Sequence, residues 1–217
     1  VTRMLRSGAD GLCLPIYINY CGAHTTSGSG NDKLNYQNLP RAEYNAQGNY
    51  LPPSAELRRS ILAPEGQVIV VVDSSQNQAR LTAWLAEEEW LLEAFRHKRD
   101  PYSEFASIAY GRTITKADKL ERFIGKICVL ALSFGMGAEK LQYTLATGVM
   151  GPAVHLELVV CQRLVNTYRY TNKKIKQFWE FCNNRIIPDM ILGREGTYKC
   201  LSWGKEHVKL PNGLHLH

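Results

Sequence analysis

Two kinds of apolar spacing follow one another along the chain. Residues 67–73 form a nearly continuous aliphatic run, which predicts a strand buried on both faces. Between residues 76 and 95 the spacing becomes helical, which predicts a helix there. Its apolar face is made of Leu81, Trp84, Leu85, Leu92 and Phe95. Residues 1–60 are rich in Gly, Ser, Asn and Pro, and this composition predicts loops and short strands.

A proline and a glycine bracket the next predicted helix. Pro101 follows Asp100, and a proline is tolerated in the first helical turn because its missing N–H has no partner there. Gly111 predicts the end of this helix. Thr115 predicts the cap of a further helix over residues 116–133.

The last third of the chain predicts two more helices and a return to strands. One helix covers residues 156–170, and the next ends at Pro188, because proline removes a helical hydrogen bond. Strands over residues 198–203 and 208–217 flank a Pro-Asn-Gly turn. This order of a strand, a block of helices and further strands predicts the α+β class.

Composition narrows the class of protein. The chain has 217 residues, of which 45% are hydrophobic, and this is enough for a packed core. No apolar run approaches the roughly 20 residues that cross a bilayer, so we expect no membrane partner. The six cysteines include no Cys-x-x-Cys pair, which favours reduced thiols in a cytoplasmic protein.

The net charge of +6 is unevenly distributed. Residues 83–95 carry four glutamates and no basic residue, whereas residues 163–209 carry ten basic and four acidic residues. A basic C-terminal half suits a polyanionic partner such as nucleic acid. A merely soluble basic surface explains the charge equally well.

Asp73 ends the apolar run of residues 67–73. A carboxylate at the C-terminal end of a buried strand lies where open sheets tend to have their sites, and it calls for a metal or a cation. An aspartate that caps the following helix through Ser74 and Ser75 is an equally good interpretation.

Arg122, Lys126, Leu130 and Phe134 are spaced by four residues. On a helix they form one stripe, cationic first and apolar afterwards, which could grip adjacent phosphates and lie under a base or sugar. The alternative is an amphipathic helix whose Arg and Lys side chains reach to solvent. Gly125 inside this helix would allow a neighbour to approach closely.

The order of these elements resembles that of family A (DNA polymerase I-type) DNA polymerases, with the spacing of phage members. Residues 72–80 resemble motif A, and residues 122–135 resemble motif B, the nucleotide-binding helix. Tyr102 lies in a short Asp-x-Tyr element of that family, and residues 22–41 resemble its Thr-Gly-Arg and Asn-x-Gln-Asn-x-Pro segments. Four ordered motifs cover nearly the whole chain.

The resemblance implies polymerase palm strands with a mostly helical fingers subdomain, in an incomplete right-hand fold. Residues 1–95 would be a palm part that contains the duplex-contacting loop and motif A. Residues 96–190 would be the helical fingers, and residues 191–217 would be strands that return to the palm. The family's second metal carboxylate, in motif C, is expected after residue 217, and we expect the isolated chain not to extend primers.

The resemblance also implies a two-metal nucleotidyl transfer from a dNTP to a primer 3′-hydroxyl, with two Mg²⁺ ions. Asp73 and the Ser74 carbonyl would be metal ligands, and Lys126 would also be a catalytic proton donor to pyrophosphate. The implied nucleotide-binding residues are Ser74, Gln76, Gln78, Tyr102, Arg122, Lys126, Leu130 and Phe134. The implied contacts to primer–template DNA are Thr25, Ser27, Asn35, Gln37, Asn38 and Arg80.

Three positions depart from the family pattern. Gln78 stands where a glutamate is usual, Asn77 replaces an apolar residue, and Ser27 replaces an arginine that reaches the primer terminus. These changes leave open a degenerate, non-catalytic nucleic-acid-binding relative. A third interpretation is a basic helical module without polymerase ancestry, in which Asp73 would lie far from Arg122. The resemblance implies a cytoplasmic location, in a bacterial host if the chain is phage-encoded, and does not indicate a processivity factor.

Overall fold

The computed structural model describes residues 18–19, 29–30, 36, 39, 43–44, 50–51, 57, 60–72 and 74–217. The chain divides into two compact units, residues 1–73 with 212–217 and residues 74–211. Helices dominate the second unit, which also contains a small antiparallel sheet, and the predicted α+β class is confirmed.

The described part of the first unit contains short strands. Strand β1 (Ile18–Asn19) pairs with β2 (Ser29–Gly30), and β3 (Glu43–Tyr44) pairs with β4 (Tyr50–Leu51), both antiparallel. Strand β8 (His215–Leu216) follows a turn in which the Asn212 side chain accepts a hydrogen bond from the Leu214 amide at 3.1 Å.

The predicted buried strand over residues 67–73 is wrong for residues 67–72, which lie outside every helix and strand. The side chains of residues 68–72 are exposed, and Val72 is 88% exposed. A strand requires a hydrogen-bonded neighbour, and none of the described residues pairs with this segment. Aliphatic composition alone therefore does not produce a strand here. Asp73 lies outside the described residues.

The helix predicted over residues 76–95 is two helices, α1 (Asn77–Ala86) and α2 (Glu89–Arg96). Glu87 takes a left-handed conformation (φ 58°) and ends α1. The carboxylate of Glu88 accepts hydrogen bonds from the amides of Lys174 (2.9 Å) and Ile175 (3.3 Å). This contact with a segment 86 residues away fixes the backbone between α1 and α2, where the helix is interrupted.

The buried face of α1 also differs from the predicted one. Its small residues Ala79, Ala83 and Ala86 are buried, whereas Leu81 is 51% and Trp84 is 42% exposed. The backbone carbonyls of Trp84 and Leu85 accept hydrogen bonds from Lys199 and Tyr198, so a hairpin lies beside this helix. Close packing of the alanines brings α1 near its neighbours and leaves the larger residues outside.

Helix α3 (Pro101–Tyr110) begins and ends as predicted: Asp100 is its N-cap and Gly111 (φ 65°) follows its last residue. Helix α4 (Lys119–Ala131) continues as a 3₁₀ turn, Leu132–Phe134. Thr115 is not the N-cap of this helix. The Asp118 carboxylate accepts a hydrogen bond from the Thr115 amide at 2.9 Å, and the first helical turn begins only at residue 119.

Two further helices follow α4. Helix α5 (Ala138–Thr147) was not among the predicted helices. Helix α6 (Leu158–Thr171) confirms the helix predicted over residues 156–170.

The predicted helix end at Pro188 is wrong. Helix α7 (Lys173–Phe181) passes into a π-helical turn, Cys182–Ile186, and then into α8 (Ile187–Leu192), which ends at Gly193. The wider π turn relieves the clash that the proline ring has with a preceding carbonyl in a regular helix. Pro188 therefore lies in the first turn of α8, where its missing N–H costs little.

The three strands of the second unit form an antiparallel sheet. Strand β5 (Gly196–Tyr198) pairs with β6 (Leu201–Gly204), which pairs with β7 (His207–Lys209). The strand predicted over residues 198–203 is interrupted because Lys199 takes a left-handed conformation (φ 53°) in the β5–β6 turn.

The core of the second unit surrounds α4. Ile124, Ile127 and Cys128 of this helix are buried, and Phe105 of α3 contacts Tyr168 of α6 edge-on at 5.7 Å between ring centroids. Helices packed on the buried face of α4 therefore fix its orientation. Within the described part of the chain, no helix is long and apolar enough to cross a membrane.

Candidate functional site

One face of α4 is left partly open by the core. Arg122, Lys126 and Leu130 lie on it and are each partly exposed, while Phe134 follows in the 3₁₀ turn and is 68% exposed. The structure therefore places the four predicted residues at successive turns, with the cations at the start and the apolar side chains at the end.

Arg122 is held by the residue that begins α3. Its Nε donates a hydrogen bond to Asp100 Oδ2 at 2.5 Å, and its guanidinium lies 5.8 Å from the centre of the Tyr102 ring. The carboxylate also accepts hydrogen bonds from the Ser103 hydroxyl (2.9 Å) and the Tyr102 amide (3.2 Å). Asp100 thus caps α3 and orients Arg122 at the same time.

The electrostatics of this pair favour the charged form of Asp100. Partial burial of Asp100 acts to raise its pKa, but the hydrogen bonds from Arg122 and Ser103, the guanidinium charge and the Tyr102 amide together lower that pKa below its ordinary value. Since Nε is the atom bound to Asp100, the two terminal nitrogens of Arg122 have no hydrogen bond to any described residue.

Tyr102, Gln76 and Arg80 meet beside this pair. Burial raises the pKa of Tyr102, while a hydrogen bond with the Gln76 side chain and the nearby charge of Arg80 act in the opposite direction. The Arg80 Nε donates to the Ser75 carbonyl at 3.1 Å, and its guanidinium stacks 4.5 Å from the centre of the Phe95 ring. Four of the predicted site residues therefore lie close together at the start of α3: Gln76, Arg80, Tyr102 and Arg122.

Gly125 explains why α3 and α4 lie so close. A Cβ at this position would collide with the Tyr102 carbonyl oxygen and would lie 3.0 Å from the Ala106 Cβ. The close neighbour expected from the sequence is thus α3. The same close packing of α3 on α4 accompanies the contact between the Asp100 carboxylate and Arg122.

Within the described residues, Lys126 differs from Arg122 in having no fixed partner. Within residues 74–217 its ammonium makes no hydrogen bond or ion pair. It is partly exposed and lies one helical turn beyond Arg122. An unpaired cation next to an oriented guanidinium forms a site that an anion with several oxygens can bridge.

The other predicted residues lie apart from the α4 stripe or outside the described residues. Ser74 and Gln78 are exposed, as is Asn77, which opens α1 and does not face the core. The polar residue at position 77 is therefore compatible with its surroundings. Outside the described residues lie Asp73, Thr25, Ser27, Asn35, Gln37 and Asn38.

No group of three or more His, Cys, Asp or Glu side chains that could hold a metal ion occurs among the described residues. Exposed Ser74 offers a backbone carbonyl, which is a type of ligand that Mg²⁺ accepts.

Sequence reasoning missed Asp100 as a site residue. It was interpreted as the start of a helix, and its second role, towards Arg122, depends on a contact across 22 residues. The only signal for this role in the sequence was its place in the Asp-x-Tyr element.

Known proteins resemble this chain in sequence. The family model described as DNA polymerase family A matches residues 16–202. The thermostable DNA polymerase I of Thermus aquaticus is 34% identical over 95 residues, which are 44% of this chain and 11% of that protein. The DNA polymerase of Bacillus phage SP02 is 34% identical over 128 residues, 57% of this chain and 18% of that protein.

A third relative, the DNA polymerase I of Synechocystis sp., is 30% identical over 128 residues, 58% of this chain and 12% of that protein. The matches therefore span less than a fifth of each of these relatives. The family match, which covers most of the chain, assigns it to a known class: the chain belongs to DNA polymerase family A. The match to a phage member agrees with the phage-like motif spacing, and a basic helical module without polymerase ancestry is ruled out.

Proposed function

We propose that the chain is part of a template-directed DNA polymerase and that α4 binds the triphosphate of an incoming dNTP. The observation that carries this is the pair of Arg122, oriented by Asp100, and Lys126, which has no partner in the described residues. Two cations one turn apart, roughly 5.4 Å along the helix axis, can reach different phosphates of the same triphosphate.

The roles along α4 then follow from position. Arg122 holds phosphate oxygens through its free terminal nitrogens, and Lys126 supplies a charge and a proton at the oxygen that leaves with pyrophosphate. Leu130 packs against the sugar, and exposed Phe134 stacks near the templating base. Tyr102 and the neighbouring Gln76 line the approach to the nucleotide.

Primer–template DNA is the second proposed partner. Arg80, whose guanidinium is fixed by Ser75 and Phe95, would contact its backbone together with Thr25, Ser27, Asn35, Gln37 and Asn38. Gln78 would lie near the nucleotide sugar. We further propose the family's subdivision into a palm part at residues 1–95 and 191–217 and fingers at residues 96–190.

We propose Asp73 and the Ser74 carbonyl as ligands of Mg²⁺. Their oxygen atoms are the donors that Mg²⁺ prefers. The bound ions would supply Lewis-acid stabilisation of the charge that develops on the phosphoryl oxygens. The residues of this chain contribute the rest: Arg122 and Lys126 position the triphosphate, and the packed core around α4 holds them in place.

The test is binding of a fluorescent dNTP to the chain in the presence of a primer–template. We expect Lys126→Ala to raise the Kd about 10-fold to 100-fold, because a charge-assisted hydrogen bond contributes roughly 1.5–3 kcal/mol. Lys126→Arg, which keeps the charge, should lose much less.

Lys205→Ala is the control, since Lys205 is an exposed lysine in the β6–β7 turn that has no proposed role. Thermal unfolding should be the same for all three variants and the wild type. Unchanged dNTP affinity in a folded Lys126→Ala protein would refute the role of α4.

A further inference from the structure

The loop between α5 and α6, residues 148–157, lies against one side of α4. Gly151 of this loop faces Phe123, which follows Arg122 in α4. A Cβ at position 151 would lie 2.5 Å from the Cε2 atom and 2.8 Å from the Cζ atom of the Phe123 ring. Gly151 also has a φ of 151°, which residues with a side chain rarely adopt. The contact with the Phe123 ring therefore requires glycine at position 151.

Hydrogen bonds to α5 hold the α5–α6 loop in place. The Val154 amide donates to the Leu145 carbonyl at 2.8 Å. Nearer the end of the loop, the Gln142 side chain donates to the Leu156 carbonyl at 2.9 Å. Because both Leu145 and Gln142 belong to α5, these bonds fold the loop back onto that helix. The ring of Phe123 therefore packs against a supported segment of backbone.

Phe123 and Gly125 lie on opposite sides of the two cations of α4. Successive residues of a helix are rotated by about 100°, so Gly125 lies about 60° to one side of Arg122. By the same geometry, Phe123 lies about 60° beyond Lys126 on the other side. Gly125 packs against Tyr102 of α3, and Phe123 packs against the α5–α6 loop. Close contacts on both flanks of the cationic face therefore oppose rotation of α4 about its axis.

A small rotation of α4 would be enough to disturb a bound anion. The end of a side chain lies roughly 6 Å from the axis of its helix, so a rotation of about 20° displaces it by about 2 Å. Hydrogen bonds between nitrogen and oxygen tolerate a range of only about 0.5 Å in length. The contact on the Phe123 side therefore affects how well the two cations meet phosphate oxygens.

We infer that Phe123 is a positioning residue for the proposed nucleotide site. Packed on Gly151, its ring fixes the rotation of α4 and thereby the direction in which Arg122 and Lys126 point. This inference rests on the proposed function, because those two cations are the proposed phosphate contacts. The Phe123 side chain has no polar atom to bind a phosphate, so its effect is transmitted through α4.

The experiment measures the Kd of a fluorescent dNTP in the presence of a primer–template. The variants are Phe123→Ala, which removes the ring, and Phe123→Leu, which fills more of the space; Phe123→Ala is also made in the Lys126→Ala background. Ile175→Ala is the matched control, since Ile175 is fully buried in α7 and its truncation also weakens the core. Urea unfolding establishes which variants are folded under the binding conditions.

We expect Phe123→Ala to raise the Kd about tenfold and Phe123→Leu about threefold, whereas Ile175→Ala should stay within about twofold of the wild type. In the Lys126→Ala background, Phe123→Ala should raise the Kd only about threefold, because one of the two cations that the ring positions is already gone. A merely structural role of the ring would give the same factor in both backgrounds.

Three results would overturn the inference: an unchanged Kd in folded Phe123→Ala or Phe123→Leu protein, equal increases for Phe123→Ala and Ile175→Ala, or equal factors in the two backgrounds. The single variant Lys126→Ala separates this failure from that of the proposed function. If Lys126→Ala loses the dNTP while Phe123→Ala keeps it, only the positioning role is wrong. If Lys126→Ala keeps the dNTP, the role of α4 is wrong and the positioning role fails with it.

Discussion

Asp100 performs two tasks that can be separated by substitution. Its carboxylate caps α3 through the Tyr102 amide, and it accepts the Arg122 Nε at 2.5 Å. Asp100→Ala removes both contacts, whereas Asp100→Asn keeps an oxygen for the cap and removes the charge. The two variants therefore distinguish capping from charge pairing.

The magnitudes follow from the burial of the pair. The Asp100 side chain is 18% exposed and that of Arg122 is 32% exposed, so solvent screens this pair less than a surface ion pair. Loss of the cap costs about 1 kcal/mol, and loss of a charged hydrogen bond costs roughly 1.5–3 kcal/mol. We expect Asp100→Ala to lower the free energy of unfolding by about 2–4 kcal/mol and Asp100→Asn by about half of that.

The effect should depend on pH. Because the pKa of Asp100 is lowered in the folded protein, its contribution to stability is present above the pKa of the unfolded state, about 3.9, and is lost as the pH falls through the folded value. Urea unfolding at about pH 7 should therefore separate wild type from Asp100→Asn, and the gap should narrow towards about pH 3.

A double-mutant cycle with Arg122→Ala isolates the pair itself. A coupling energy near 1–2 kcal/mol is expected at neutral pH. The interpretation is refuted if the coupling is within about 0.3 kcal/mol of zero, or if the stability gap is the same at both pH values.

Two further predictions concern packing. Gly125→Ala should destabilise the protein by about 1–3 kcal/mol in urea unfolding, because the new Cβ would collide with the Tyr102 carbonyl; helix propensity alone predicts the opposite sign, a gain of roughly 1 kcal/mol, which would contradict the close packing. Glu88→Ala should lower the free energy of unfolding by about 2–3 kcal/mol, since it leaves the amides of Lys174 and Ile175 without their acceptor. Glu88→Gln retains an acceptor and should lower it by less than about 1 kcal/mol. Equal losses in the two variants would contradict the role of Glu88 as acceptor for these amides.

Features set by neighbouring residues could be predicted from the sequence. Asp100 followed by Pro101 marks the start of α3, and Gly111 marks its end, because capping and proline geometry act within one turn. The stripe from Arg122 to Phe134 follows from helical spacing alone.

Features set by distant contacts could not be predicted. The break between α1 and α2 depends on Glu88 reaching amides 86 residues away, and nothing near Glu88 in the sequence signals this. The apolar run at residues 67–72 has the composition of a strand, but a strand also depends on a pairing partner, which local pattern does not reveal. The role of Asp100 towards Arg122 likewise arises only when α3 packs on α4.

The π turn at Cys182–Ile186 has a geometric consequence for the helical segment that contains it. A π turn accommodates one more residue than a regular helical turn, and each added residue rotates the following face by about 100°. Helix α7 can therefore present Lys176 to the cavity that Phe134 and Trp179 border, while α8 offers the Met190 carbonyl to the Glu206 amide at 3.2 Å. Deleting one residue from this turn would rotate α8 away from the hairpin, so the length of the segment is constrained as strictly as its composition.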